Sequence, residues 1–290
     1  MRSLVPALLG LAHLVTGDPL LPRTGGERDM HSSLQKREYV KPLKASWKGK
    51  WAQNMTADGY DRLNSTILQY LPAPTPNGNG VLVTPGGGYA HTALDKEGVQ
   101  PANWLNQHGY DVWILDYATT ANYTAPLYPL PQNQALEAVK QIRAQDKVEK
   151  LGIWGFSAGG HLSATTVTNP EADLNFAILA YPVITMDPKF THNGSRTNLI
   201  GDNPTPELQY NLSAENRVTN STPPVFLFHT ANDEAVPIQN TLLFANAMAS
   251  HGRPFQTLIL PDGKHGLGLA LTDPARNWTT ELDRWLKYSV

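Results

Sequence analysis

The sequence predicts an α/β fold: one mostly parallel, doubly wound sheet with helices on both faces, in a single domain. Three observations predict it. Beyond residue 60, short strand-like runs alternate with single helix-like segments. Several of these runs, such as Val81-Leu82-Val83-Thr84 and Asn175 to Val183, are almost wholly apolar, as strands buried on both faces must be. The chain of 290 residues, 41% hydrophobic and 17% charged, is long enough to bury one large core.

The elements follow in order. Ile67 to Leu71 reads as a strand and PAPTPNGNG after it as a turn region; Val81 to Thr84 then runs into Pro85-Gly86-Gly87-Gly88-Tyr89. A helix around Val99 to Gln107 precedes a strand from Asp111 to Tyr117. Ala135, Ala138, Val139 and Ile142 fall at i, i+3, i+4 and i+7, one face of a helix. Leu151, Ile153 and Trp154 form a strand that enters Gly155-Phe156-Ser157-Ala158-Gly159, followed by a small-residue helix. Asn175 to Val183, Pro224 to Thr230 and Phe255 to Leu260 continue the strands, with a helix near Pro237 to Ser250. Trp278, Leu282 and Trp285 mark one face of a last helix. Residues 184–222 break the rhythm with Pro, Asn, Gly and Ser, and are expected to be a loop excursion over the site.

The G-x-S-x-G at 155–159 points to chemistry. Between a strand and a helix it holds a serine on a tight, strained turn, lifting the Ser157 hydroxyl to the strand end. The Ala158 N–H then lies at a helix start, free to stabilise negative charge. A serine hydroxyl needs a base, and the base an orienting acid. In an α/β-hydrolase fold these come in the order Ser, Asp or Glu, His, each after a later strand. Asp233 follows the strand PVFLFHT, and His265 follows FQTLIL. Glu234 would point away if Asp233 points in, and Asp262 lies three residues from His265, close for one loop. His161 is read as a packed histidine supporting the turn, and His91 as a loop histidine that could also touch substrate. The second oxyanion donor is expected from Gly87 or Gly88, in the loop after an earlier strand. Tyr89 is the candidate substrate contact. With Tyr123, Tyr128 and Trp104 it could form a sugar platform, or all four could pack in core or surface.

PGGGY, Lys96-Glu97-Gly98, GFSAGGHL, YPVITM (Tyr181 to Met186), the H-T-x-x-D-x-x-V-P run and KHGLGL together resemble the secreted carbohydrate acetyl esterases of the α/β-hydrolase superfamily. These include acetylxylan esterase-like and bifunctional acetyl/feruloyl esterase proteins, and the likeness covers about residues 65–270. It implies deacylation of plant cell-wall polysaccharide of the xylan type, with Ser157, Asp233 and His265 at the family's triad positions and PGGGY as its oxyanion loop. Lipase-like relatives carry a His before the glycines; Pro85 stands there in this chain, which speaks against a lipid ester. Alternatives are a feruloyl esterase or broad carboxylesterase, a peptidase of similar fold, and a non-catalytic binding protein on the same scaffold. No accessory propeller is apparent to favour the peptidase, and the complete triad speaks against the binding protein.

Composition narrows the partners. A net charge of -2 gives no electrostatic case for nucleic acid or an anionic membrane. There is no cysteine, which excludes disulfides, thiolate catalysis and cysteine-bound zinc, and the expected reaction needs no cofactor. Arg2 and the apolar run Leu4 to Val15 read as a signal peptide over residues 1–17, too short to span a membrane. Residues 18–37 read as an unstructured or propeptide segment, and 38–290 as the α/β-hydrolase domain. Lys36-Arg37, at its end, is a cleavage site or simply a solvated charge pair. N-x-[ST] sequons start at Asn54, Asn64, Asn122, Asn193, Asn211, Asn220 and Asn277. Chance would give roughly two or three, so the expectation is a secreted, extracellular glycoprotein.

Overall fold

The computed structural model describes residues 60–63 and 66–290. The expected leader, the segment 18–37 and sequons Asn54 and Asn64 lie outside the described residues.

Eight strands form one sheet in the order β1-β2-β4-β3-β5-β6-β7-β8. They are β1 (Tyr60–Leu63), β2 (Thr66–Leu71), β3 (Asn79–Thr84), β4 (Asp111–Asp116), β5 (Lys150–Phe156), β6 (Phe176–Ala180), β7 (Val225–Thr230) and β8 (Phe255–Leu260). Strand β2 runs antiparallel to β1 and β4, and from β4 to β8 every neighbouring pair is parallel. All the carboxyl ends of that parallel set therefore point the same way, the edge where sites assemble in such sheets.

The strand residues alternate between two cores, as a period of two demands. Leu82, Ile153, Leu179 and Leu227 face one layer, with helices α2 (Leu130–Ala144), α3 (Ser157–Val167) and α6 (Gln239–Ser250). Val83, Trp154, Ile178 and Phe228 face the other, with α1 (Gln100–Gln107) and α7 (Thr279–Tyr288). The second layer holds an aromatic stack in which Phe228 lies 4.3 Å from Trp278 and nearly parallel to it. Strands, helical faces and the doubly wound layering agree with the sequence expectation. None of the helices among the described residues is long and apolar enough to cross a membrane.

The segment 184–222 differs from the expected loop excursion. It contains α4 (Asn193–Ile200), α5 (Pro206–Leu212) and a 3₁₀ turn (Ala214–Arg217). His192 caps α4 by accepting the Ser195 N–H, and Thr205 caps α5 by accepting that of Leu208. Their apolar side is short: Leu199 and Ile200 in α4, Leu212 in α5. Helices of about two turns have too few periods to register as amphipathic, and form here because packing offsets their nucleation cost. The segment is a helical cap: Asn198 Nδ2 donates to the Gly88 carbonyl at 2.9 Å, binding α4 to the triple-glycine loop.

Candidate active site

Ser157 is the first residue of α3, directly after β5, with φ of +51°. A non-glycine residue in that region is strained and persists only where its surroundings enforce it. The flanking glycines show how. A Cβ on Gly155 would lie 2.3 Å from the Gly159 carbonyl oxygen, and one on Gly159 would lie 2.1 Å from that of Thr84. Thr84 Oγ1 donates to the Gly159 carbonyl at 2.9 Å, tying the end of β3 to the turn.

Asp233 and His265 arrive on the loops after β7 and β8. His265 Nδ1 lies 2.7 Å from Asp233 Oδ2, and its Nε2 lies 2.8 Å from Ser157 Oγ. An ionised carboxylate only accepts, so it fixes the proton on Nδ1 and leaves Nε2 to accept the serine hydroxyl. Asp233 Oδ1 takes the N–H groups of Ala235 and Val236, both at 2.9 Å. Burial pushes this carboxyl up, but hydrogen bonds from His229, His265 and the Val236 N–H outweigh it and hold the group well below the usual carboxylate range.

The glycine loop packs against the serine: a Cβ on Gly86 would lie 2.9 Å from Ser157 Cβ. The Gly86 N–H is committed to Glu97 Oε2 at 2.9 Å. Gly87 and Gly88 follow with φ of +124° and +66°, backbone that glycine adopts freely. Ala158 sits in the first turn of α3, whose N–H groups have no intrahelical acceptor.

Other candidates are placed differently. Tyr89 is not a surface contact: it is fully buried, with φ of +57° turning it beneath the loop and its hydroxyl 2.8 Å from His161 Nδ1. This corrects its reading as a substrate contact. His161 is a packed histidine, its other nitrogen bonded to the Leu212 carbonyl at 2.7 Å, and burial lowers its pKa to about 4. Trp104 stacks within the second core layer, so it belongs to no sugar platform. Asp262 is exposed and paired with Arg276 at 2.9 Å, away from the triad position.

Sequence reasoning assigned nothing to three further residues. His229 is fully buried, with Nδ1 bonded to Thr241 Oγ1 at 2.7 Å, Nε2 to the Val236 carbonyl at 2.9 Å, and Nε2 only 3.4 Å from Asp233 Oδ2. Its position in the H-T-x-x-D run was the available signal. His192, in the cap, stands 3.7 Å from where a Gly88 Cβ would be, and burial lowers its pKa. Glu97 is discussed below. Beside His265 lies a cavity of about 720 Å³ walled by Asn232, Glu234, Asp262, Lys264, Asp273 and Arg276. Its lining does not include Ser157. Among the described residues no group of three or more His, Cys, Asp or Glu side chains has the geometry to hold a metal.

The chain is similar to proteins of known name. The acetylxylan esterase of Xylanibacter ruminicola is 30% identical over 257 residues, covering 84% of this chain and 52% of that protein. Endo-1,4-beta-xylanase B of Butyrivibrio fibrisolvens is 36% identical over 231 residues, 73% of this chain and 36% of the xylanase. The chain thus spans about half the length, or less, of these curated relatives. Among solved structures, the acetyl ester-xyloside bifunctional hydrolase of Caldicellulosiruptor lactoaceticus superposes with a TM-score of 0.69 at 32% identity, over 83% of this chain and 93% of that one. A carboxylesterase of Lactobacillus plantarum follows at 0.66 and 25%, over 79% and 96%. A profile of the prolyl oligopeptidase family matches residues 131–290, the stretch that carries the serine turn and both later loops, and the chain belongs to that family of α/β-hydrolases.

Proposed function

We propose that this chain is a secreted serine esterase that removes acetyl groups from xylan-type plant cell-wall polysaccharide through an acyl-enzyme. The observation that carries the reading is the line from Ser157 through His265 to Asp233, closed at 2.8 and 2.7 Å beside a glycine loop. The names of the relatives, an acetylxylan esterase and an acetyl ester-xyloside hydrolase, support the substrate class. Although the family takes its description from a peptidase, the similar proteins named above are esterases and a xylanase.

In this mechanism Ser157 Oγ attacks the ester carbonyl carbon as His265 Nε2 takes its proton. Asp233 holds the imidazole tautomer and stabilises the imidazolium that forms. The N–H groups of Gly87 or Gly88 and of Ala158 receive the developing oxyanion; such a donor typically contributes about 10²–10³ in rate. The C–O bond to the sugar then breaks and the imidazolium protonates the departing hydroxyl. Water, deprotonated by His265, attacks the acetyl-serine and releases acetate. The chemistry draws only on these side chains and backbone groups.

Secretion is part of the proposal, with residues 1–17 as leader, 18–37 removed or unstructured, and 38–290 as the enzyme domain. Asn193, Asn211, Asn220 and Asn277 are exposed on the described surface, in keeping with glycosylation. N-terminal sequencing of secreted protein tests the processing: the reading expects a start at Glu38, and a start well before it removes the propeptide.

The substrate is tested by following acetate and ferulate release from acetylated, feruloylated xylan fragments with the protein and its Ser157→Ala variant. Acetate released by the protein and lost in the variant is the expected result. Ferulate release would establish the feruloyl reading instead. Cleavage of p-nitrophenyl acetate without either would keep the triad and overturn the substrate.

A further inference from the structure

Glu97 is a buried carboxylate that the chemistry above leaves unused. It lies in a π-helical turn, Leu94–Val99, ahead of α1, and is 4% exposed. Such turns are rare and often mark functional positions because they redirect one side chain. Burying a carboxylate is costly unless donors compensate it. No ion pair to Glu97 occurs among the described residues; its compensation comes from two hydrogen bonds, each from a different part of the site.

The Gly86 N–H donates to Oε2 at 2.9 Å, so one oxygen holds the first residue of the loop that carries Gly87 and Gly88. The Tyr181 hydroxyl donates to Oε1 at 2.8 Å. The same hydroxyl accepts the Gly268 N–H at 2.9 Å, three residues beyond His265 on its loop. The Tyr181 ring also stands edge-on to the His265 ring at 5.1 Å between centroids. Tyr181 follows β6 with φ of +37°, a strained backbone on which the next two residues lead to the Val183 N–H, bonded to the Ser157 carbonyl at 3.0 Å. One carboxylate thus joins the loops after β3, β6 and β8.

We propose that Glu97, through Tyr181, is a positioning residue that keeps the oxyanion loop and the His265 loop in register with each other around Ser157. The role rests on the esterase reading. The donors for the oxyanion and the base for the serine proton come from loops separated in sequence by more than 170 residues. They must be placed together to within a fraction of an ångström, since a displacement of about 1 Å can cost about a hundredfold in rate. A carboxylate suits the task because both its oxygens accept. In Glu97→Gln one oxygen becomes an NH₂: turned to Gly86 it meets the N–H donor against donor, and turned to Tyr181 it forces the hydroxyl to reverse from donor to acceptor, so the two original bonds are not both kept.

The test compares the protein with Glu97→Gln, Tyr181→Phe and the double variant on p-nitrophenyl acetate. Active-site titration normalises the rates and thermal melts follow folding, with Ser157→Ala run alongside. Each single variant is expected to lower kcat by about tenfold to a hundredfold with KM within about threefold, because the ester still binds while the two loops lose their common reference. The double variant is expected to lose little more than the worse single, as both changes cut one strut. A Glu97→Gln or Tyr181→Phe protein with unchanged kcat per titrated site overturns the proposal. So do losses that multiply in the double variant, which mean two independent packing effects. Should Glu97→Gln fail to fold, Tyr181→Phe decides alone, since it keeps the ring against His265 and removes only the hydroxyl. Turnover abolished by Ser157→Ala yet untouched by the Glu97 and Tyr181 changes would overturn the strut and leave the esterase standing. Absence of turnover in the unaltered protein would overturn both.

Discussion

Two histidines lie close to Ser157 in sequence or in space, and each sits between a hydroxyl and an oxygen acceptor. In one chain the order is Asp233 Oδ2, His265, Ser157 Oγ; in the other it is the Leu212 carbonyl, His161, Tyr89 hydroxyl. The bond lengths are alike, between 2.7 and 2.8 Å. The surroundings are not. His161 and Tyr89 are wholly buried, and the acceptor is a neutral carbonyl at the end of α5. The His265 side chain is 23% exposed, its acceptor is an ionised carboxylate, and its hydroxyl partner sits on a strained turn. The first arrangement stitches the helical cap to the core; the second, with its partly exposed imidazole, is the one the proposed mechanism uses to move a proton. Hydrogen-bond geometry alone does not tell the two chains apart. Exposure of the imidazole and the charge of the acceptor do.

The largest effects should come from breaking the open chain. Ser157→Ala should lower kcat by about 10⁴-fold or more, measured on p-nitrophenyl acetate. Asp233→Asn should cost about as much, because an amide donates to Nδ1 and imposes the wrong tautomer on His265. Breaking the closed chain should act on stability instead. His161→Ala strands the Leu212 carbonyl and the Tyr89 hydroxyl, and should lower unfolding free energy by about 2–4 kcal/mol in urea titrations. Activity per titrated site should stay near that of the unaltered protein, and a thousandfold loss there would erase the distinction.

The two chains should also separate by pH. The folded pKa of His161, about 4, lies below the ordinary imidazole value of 6.5, so the unfolded chain binds more protons between those values. Stability should therefore fall as pH drops from 6.5 toward 4, by at most about 3 kcal/mol from this residue. His161→Gln should flatten that part of the curve. Asp233 works lower: its folded pKa is depressed, so its contribution is complete above the ordinary carboxylate range and lost as pH falls below about 4. The smallest effect belongs to Asp262→Asn. This exposed carboxylate pairs with Arg276, not with His265, and its loss should leave kcat on p-nitrophenyl acetate unchanged. A large loss would make it the orienting acid.

The open chain was legible in the sequence because each of its members follows a strand and two of them sit in short motifs of local meaning. Gly155 and Gly159 announce the turn directly, and chain order supplies Asp233 and His265. The closed chain was legible only at His161. Tyr89 looks exposed from sequence, standing after three glycines at a strand end, and only its positive φ sends the ring inward. The α4 and α5 helices were missed because one or two buried apolar side chains each give no periodicity to read. Glu97 was missed for a related reason. Lys96-Glu97-Gly98 entered the sequence reading only as part of the family resemblance, with no role for the carboxylate, because its burial depends on loops whose residues lie 11, 84 and 171 positions away.

The most direct test of the catalytic account is the mass of the protein quenched in acid during turnover of p-nitrophenyl acetate. The account predicts an added acetyl group on the peptide containing Ser157, absent from Ser157→Ala and accumulating when deacylation is slowed. Turnover with no acetyl group on that peptide, or acetylation persisting at another residue of Ser157→Ala with full activity, would contradict it.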